Sequence, residues 1–251
     1  MRTRKAALAG VLCAGLSLAL TACGGTAEDP DAGTNGVGKL EAAKIQDKAR
    51  GAARDASSVH LSGSVVSQGR TYKLDMRLKR DGGTGRVASD ASTFELLRVG
   101  DELYLKAPAA FWSRGDKGDG AAAAGKLEKK YVKVPTADPA YQQLKGFTDK
   151  DVLLDGLIAL HGKLARGEHG TVGGDRTIRV NGAGGSGGTL DVSLTGTPYP
   201  LRVQRAGGAG QLELSEWGKD FALTAPAKPD VVDYGKRIPS GEGASLPGPS
   251  K

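Results

Sequence analysis

Residues 71–80 have the sequence TYKLDMRLKR, and apolar and charged side chains alternate along this stretch. The apolar members are Tyr72, Leu74, Met76 and Leu78. A period of two is typical of a β-strand that buries one face and leaves the other in water. The stretch therefore predicts a one-sided antiparallel strand, and strands of this kind decide the fold class of the chain.

The same period of two recurs on both sides of this strand. Further strands are predicted, among others, at 59–66, 86–91, 94–99, 102–107, 131–134, 171–173 and 221–223. Gly100-Asp101 fits a two-residue turn between consecutive strands, and Gln68-Gly69 fits a turn just before residue 71. Short turns between neighbouring strands favour a meander of about ten strands.

Helical patterns interrupt the strands in two groups. An amphipathic helix is predicted at 39–56 and a short helix at 121–130. Asp138 and Pro139 are residue types of an N-cap and a first helical position, which predicts a helix to about residue 147. Thr148 and Asp151 have the spacing of a capping box, so the following helix is expected to begin at Thr148 and to end near Gly162.

Together these elements predict an α+β fold. We expect one curved antiparallel sheet of about ten strands that carries three or four helices on its concave side. The predicted division is a signal peptide at 1–22, a lipidated N-terminus with a flexible tether at 23–38, a folded domain at 39–235 and a disordered tail at 236–251.

The N-terminal residues have the pattern of a lipoprotein signal peptide. A basic start precedes an apolar run of about fifteen residues, which is short for a membrane-spanning helix. Residues 20–23, LTAC, then match the bacterial lipobox, in which the cysteine thiol is joined to diacylglycerol. The sequence thus predicts that the acyl chains on Cys23 anchor the protein to the extracytoplasmic face of the cell membrane. The alternative is an ordinary secretory signal that happens to contain a cysteine.

Net charge and cysteine content narrow the class of protein further. The net charge is +7 over 251 residues, which is too mild a basic excess for a nucleic-acid-binding protein. Cys13 and Cys23 are the only cysteines, and Cys13 lies in the predicted signal peptide. The mature chain therefore has no partner for an intramolecular disulfide, and apolar burial must hold the fold together.

The short motifs that match catalytic or metal-binding patterns lack the context that those functions need. Residues 184–188 satisfy G-x-S-x-G, and Gly182 begins a G-x-G-x-x-G, but both motifs need a helix where the sequence predicts a strand at 189–195. His60, His161 and His169 lack a third ligand at metal-binding spacing. We therefore expect no enzyme activity, no catalytic residue, no metal and no cofactor.

The polar faces of the predicted strands are rich in basic side chains. These are Lys73, Arg77, Lys79, Arg98, Lys106, Lys133, Arg179 and Arg202. The favoured interpretation is a solvated face. The alternative is an attraction to anionic lipid headgroups or wall polymers near the anchor.

Several segments resemble the actinobacterial LppX/LprG-type lipoproteins of the LolA-like group of lipid and lipoprotein carriers. Besides the lipobox, the early helix and the strand pair at 58–80, they are ELYLK at 102–106, FW at 111–112, YVKVP at 131–135 and YPLRV at 199–203. The resemblance covers residues 40–235 and is one of pattern and order. It implies an open half-barrel whose helices cover an apolar cavity for acyl chains. The implied partners are an acylated lipid or lipoglycan and an envelope protein.

Ten apolar residues are candidates for the lining of such a cavity. They are Leu74, Met76, Leu78, Phe111, Trp112, Leu153, Leu154, Leu157, Ile158 and Leu160. Sequence periodicity is the same for a lined pocket and for a packed core. A lined pocket indicates a carrier of acylated lipids, whereas a filled core indicates an interaction or sensor lipoprotein of the same fold.

Overall fold

A computed structural model describes residues 29–67, 69–90, 92–113 and 120–233, with the side chains of 120–123 excepted. The predicted signal peptide, Cys23, the predicted tail at 236–251 and Gln68 of the predicted turn lie outside the described residues. From Asp31 onward the described residues form one unit, and the architecture below is that of this unit.

Twelve strands of the described chain form a single open sheet. They are β1 Ser58–Ser67, β2 Arg70–Lys79, β3 Gly82–Ala88, β4 Thr93–Val99, β5 Glu102–Lys106, β6 Tyr131–Val134, β7 Leu164–Val172, β8 Asp175–Gly182, β9 Thr189–Ser193, β10 Pro200–Gln204, β11 Gly210–Ser215 and β12 Val231–Asp233. Their order across the sheet is β12-β6-β5-β4-β3-β2-β1-β11-β10-β9-β8-β7. Only β12 runs parallel to its neighbour among these pairs. The predicted α+β class with an open, mainly antiparallel sheet is confirmed.

The sheet consists of two meanders that meet at one ladder. Strands β1 to β6 follow one another across one half of the sheet, and β7 to β11 follow one another across the other half. The two halves join where β1 pairs with β11, in a register that runs from His60 opposite Ser215 to Val65 opposite Gly210. This ladder is called the seam below.

One face of the sheet, called the inner face, carries the apolar side chains. On β2 the side chains of Tyr72, Leu74, Met76 and Leu78 are at most 3% exposed, as their alternation predicts. The inward residues of β8 and β9, such as Ile178 and Leu190, belong to the same hydrophobic cluster. Because the side-chain period of a strand is two, the charged residues of β2 lie on the opposite, outer face.

Five helices cover the inner face in the described residues. They are α1 Ala42–Asp55, α2 Ala109–Trp112, α3 Gly120–Leu127, α4 Pro139–Thr148 and α5 Lys150–Ile158. Helix α1 packs against β7 to β10, α4 against β3 and β4, and α5 against α1, α4 and β10. Their buried side chains join those of the strands in one cluster, so the helices and the sheet share a single core.

Helix capping is partly as predicted. Asp138 accepts a 2.8 Å hydrogen bond from the Ala140 amide, and Pro139 takes the first helical position of α4. The cap of α5 is Asp149, whose carboxylate accepts a hydrogen bond from the Val152 amide, and the prediction of Thr148 for this role was wrong. Thr148 instead ends α4.

Two buried cations hold the helix ends at the junction of α4 and α5. The Lys150 ammonium has no exposed side-chain surface and donates to the carbonyls of Ala53 and Arg54, at the end of α1, over 3.0 Å each. The Arg98 guanidinium donates to the Thr148 carbonyl at 2.9 Å and to the Thr148 hydroxyl at 3.0 Å. A cation at a helix C-terminus satisfies carbonyls that lack an intrahelical partner and complements the helix dipole.

The prediction from the sequence missed or shortened those strands whose side chains do not alternate between core and water. Strand β7 begins at Leu164, where only 171–173 was predicted, because most of its residues are exposed on both faces at the edge of the sheet. Strand β3 begins at Gly82, ahead of the predicted residue 86. A Cβ atom at Gly82 would lie 2.0 Å from the Arg98 carbonyl oxygen, so glycine is required where the two backbones approach so closely.

The N-terminal segment, residues 31–40, is packed against the second meander. The Asn35 amide group donates to the carbonyls of Ser193 and Gly196 over 3.1 and 3.0 Å, and Asp31 lies 3.0 Å from the His169 ring. Val37 is 4% exposed. Packing against the sheet therefore includes residues 31–38, which the sequence assigned to a flexible tether, because the polar side chain of Asn35 rather than an apolar pattern fixes the segment.

A second extended segment, residues 216–230, connects β11 to β12 and is called the C-terminal strap. The Gly218 amide donates to the Ser58 carbonyl on β1, and Asp220 forms an ion pair with Lys79 on β2. The strap then reaches the far edge of the sheet, where β12 pairs with β6. No strand forms at 221–223, contrary to the prediction, and the three-residue strand β12 was not predicted.

We predict that Lys150→Met lowers the free energy of unfolding by about 1–3 kcal/mol, because it leaves the α1 carbonyls without a donor in a buried place. Urea titration followed by circular dichroism measures the change. Lys48→Met, on the exposed side of α1, is the matched control and is expected to change stability by less than about 0.5 kcal/mol. Equal stability of the two variants would contradict a clamping role for Lys150.

Candidate functional site

The predicted cavity residues all meet at the interface between the inner face and the helices. Leu74, Met76 and Leu78 lie on β2, Phe111 and Trp112 end α2, and the remaining five lie on α5 or just after it. Nine of the ten are at most 7% exposed, and Leu160 is partly buried against the same cluster. The structure thus brings the predicted set together, and the interface is the candidate site.

The aromatic pair closes one side of this interface. The Phe111 ring lies 5.0 Å from the Trp112 ring in an edge-to-face arrangement and 6.4 Å from the Phe94 ring on β4. The Trp112 indole N–H donates a 3.0 Å hydrogen bond to the Ala107 carbonyl. Because the polar atom is satisfied locally, the apolar body of the indole is available to the interior.

Helix α5 presents opposite faces to the core and to water. Leu153, Leu154, Leu157 and Ile158 are buried, whereas Val152 on the same helix is 53% exposed. A helix of nine residues is too short to be stable alone in water, so its packing on the sheet holds it in place. Its apolar face is therefore bound to the inner face by non-directional contacts.

The interior at the centre of β2 is filled by side chains. Met76 and Leu78 have no surface exposed to water, either outside the molecule or in an internal space. A small pocket of about 50 Å³ opens at the end of α5, where Leu157 and Leu160 face Gly187 and Gln204. Among the described residues, the candidate site is therefore packed at the centre of β2 and has a small opening at the end of α5.

Most of the basic side chains on the outer face have acidic partners. Arg77 pairs with Glu216 at 3.0 Å, Lys133 with Glu102 at 2.7 Å, and Arg179 holds Asp191 through two hydrogen bonds. Lys79 and Arg202 also pair with carboxylates, on Asp220 and Glu213. Since paired charges neutralise each other, the face favours the interpretation as a solvated surface over an attraction to anionic lipid.

Arg98 does not belong to the outer face, and its assignment there was wrong. It follows Phe94 and Leu96 at intervals of two on β4, so it shares their inward side, and it is 4% exposed. The position at the end of the strand lets the guanidinium reach the end of α4. The inward position of Arg98 could have been predicted from the sequence, because Arg98 lies four residues after Phe94 on the same strand.

A chain of three polar side chains crosses the seam on the outer face. The Ser215 hydroxyl lies 3.4 Å from His60 Nδ1, and His60 Nε2 lies 2.7 Å from Asp75 Oδ1. These residue types also occur in hydrolytic triads, where backbone N–H groups must stabilise the oxyanion. Here β1 is paired on both sides, so the ladders already use the N–H groups around His60. The chain of contacts joins three strands, and sequence reasoning missed it because the residues are distant in sequence.

Helices of the described chain are all too short or too polar to cross a membrane. No protein-family model matches the chain, and a search of curated proteins finds no match.

Comparison with solved structures does find relatives in fold. The chain is similar to LprF from Mycobacterium bovis, with a TM-score of 0.50 and 17% sequence identity over 74% of this chain and 97% of that one. It also matches the lipoprotein LppX from Mycobacterium tuberculosis, with a TM-score of 0.45 and 15% identity over 73% and 98% of the two chains. The expected likeness to LppX/LprG-type lipoproteins is confirmed as a likeness of fold, through LprF.

We predict that Lys133→Met raises the pKa of Glu102 toward its ordinary value. In the native protein the hydrogen bond from Lys133, followed by that from Tyr104, lowers this pKa. A lowered folded-state pKa stabilises the protein above the ordinary carboxyl pKa, and this contribution is lost as the pH falls through the folded value. Carbon-13 NMR titration of the Glu102 carboxyl measures the shift, with Lys73→Met as the control. An ordinary Glu102 pKa in the unmutated protein would refute the pairing.

Proposed function

We propose that this chain is a lipid-anchored protein of the extracytoplasmic face of the cell membrane and that it binds an acylated lipid or lipoglycan between its sheet and its helices. The observation that carries the proposal is the interface itself, in which a long apolar sheet face is covered only by short helices. The fold shared with LprF and the lipobox at 20–23 support the same function.

An acyl chain can replace the α5 leucines against the inner face at little cost in free energy to the sheet. An acyl chain gains about 0.8 kcal/mol for each CH₂ group that leaves water. If a chain takes the place of the α5 leucines against the inner face, one apolar contact replaces another, and the sheet loses little burial. The directional contacts of Lys150 and Arg98 lie at the helix ends, so they leave the contact between α5 and the sheet purely apolar.

A second function is favoured by the filled centre of the interface. Because Met76 and Leu78 touch no space accessible to water, the same fold can serve as a rigid interaction or sensor lipoprotein with an envelope protein as its partner. In that case no lipid enters, and the helices stay against the sheet.

We predict that Leu154→Trp reduces the amount of lipid bound by the protein at least severalfold, because the larger ring occupies the position against the sheet that a bound acyl chain would take. Native mass spectrometry of protein purified from membrane extract, with lipid extraction as a cross-check, measures occupancy. Val152→Trp, on the exposed side of the same helix, is the matched control and is expected to bind lipid normally.

The outcome separates the two functions. A lipid adduct on the unmutated protein that Leu154→Trp loses and Val152→Trp keeps supports the carrier. A clean mass without lipid for the unmutated protein would overturn the carrier and favour the interaction protein. Thermal unfolding of both variants shows whether Leu154→Trp is folded when it is measured.

We predict that Cys23→Ala abolishes incorporation of radiolabelled palmitate and moves the protein out of the detergent phase in a Triton X-114 partition. Cys13→Ala is the control, since Cys13 lies in the segment predicted to be removed, and it is expected to keep the label. Labelling that persists in Cys23→Ala would disprove the anchor.

A further inference from the structure

A groove of about 390 Å³ lies on the outer face of the second meander, apart from the interface described above. Its walls come from the turn between β7 and β8, the connection between β9 and β10, and the first residues of the C-terminal strap. Its lining includes the outward side chains of Ser193, Glu213 and Ser215 and the apolar residues Val172, Leu201 and Leu214. The volume lies in the usual range of small-molecule sites, about 300–1,000 Å³.

A fixed aromatic pair lines this groove. The rings of Tyr199 and Trp217 are stacked, with centroids 4.8 Å apart and planes inclined by 2°. The Trp217 indole N–H donates a 3.1 Å hydrogen bond to the Pro200 carbonyl, which fixes the orientation of the indole. Both rings are only partly buried, so the pair supplies a rigid apolar platform within a polar wall.

The polar wall is rich in groups that accept and exchange hydrogen bonds. Hydroxyl groups come from Thr195 and Thr197, both exposed, and carboxylates from Asp175, Glu213 and Glu216. Arg202 neutralises Glu213 and Arg77 neutralises Glu216, but each carboxylate has more acceptor sites than one arginine uses. Lys219 also lines the groove and lies 3.8 Å from Glu216, so cations accompany two of the three carboxylates.

We propose that this groove binds a sugar ring. A pyranose has a face of C–H groups that packs against an aromatic platform and a rim of hydroxyl groups that donate to carboxylates and threonine oxygens. A purely apolar ligand would cover the polar wall and leave its groups without partners, which is costly. A strongly charged ligand would meet a wall that carries both signs.

The position of the groove points to the source of the sugar. The N-terminal segment is fixed beside the groove, because the backbone N–H of Asn35 donates to the carbonyl of Leu194, one residue from Ser193 in the groove lining. Cys23 and Asp31 are eight residues apart in the sequence, a span of at most about 28 Å for an extended chain. On the anchor proposed above, the groove therefore lies near the bilayer, within reach of a glycolipid headgroup as well as of a free glycan.

The test uses the purified full-length protein in a detergent without a sugar headgroup. Tryptophan fluorescence is followed while soluble oligosaccharides of glucose, galactose or mannose are added, and again while micelles of the same detergent with or without a diglycosyl diacylglycerol are added. Asp175→Ala and Tyr199→Ser are expected to weaken sugar binding about tenfold or more. Asp101→Ala, an exposed aspartate in the turn between β4 and β5, is the matched control and is expected to bind normally.

The two arms identify the source, and the variants decide the site. Binding of free oligosaccharide supports a soluble glycan, and binding only of micelles that contain the glycolipid supports a headgroup. Absence of binding in both arms, or equal binding by Asp175→Ala, Tyr199→Ser and Asp101→Ala, would overturn the proposal. Leu154→Trp is expected to keep sugar binding, so a failed acyl site and a failed sugar site give different results.

Discussion

The ladder between β1 and β11 is the interaction on which the rest of the structure depends. It joins residues as far apart as His60 and Ser215, which are separated by 155 positions in sequence, and it turns two local meanders into one sheet. Because the entropy cost of closing a loop grows only slowly with its length, so distant a pairing adds little to this cost once each meander has formed. The result is a continuous apolar face that cannot remain in water, and the helices are the part of the chain that covers it.

The helices are attached by two kinds of contact with different physical character. Along their length they meet the sheet through aliphatic side chains, which attract without direction. At the junction of α4 and α5, the buried cations Arg98 and Lys150 bind helix carbonyls in fixed geometry. Orientation is therefore set at this junction, by the Arg50–Asp155 ion pair between α1 and α5 and by the hydrogen bond from Tyr141 to the Asp101 carbonyl, while the contact of α5 with the sheet depends on apolar area.

The sequence predicts those elements whose side chains alternate between core and water. Strand β2 and helix α1 are of this kind, and nine of the ten candidate cavity residues are buried, although burial does not test whether they line a cavity. Strand β7 is exposed at the sheet edge, and β12 has three residues and a parallel partner, so neither has a local pattern to detect. Periodicity cannot distinguish a lined cavity from a packed core, because both bury the same positions. The groove around Tyr199 and Trp217 arises from three connections that only the topology brings together.

The N-terminal segment and the C-terminal strap contact opposite edges of the sheet. The N-terminal segment contacts β7 and β9 at one edge, and the C-terminal strap delivers β12 to the opposite edge. Eleven strand spacings of about 4.8 Å separate these edges, a path of roughly 50 Å along the sheet. The two segments therefore fix opposite edges of the sheet, and a force applied between them would be carried across every ladder of the described sheet.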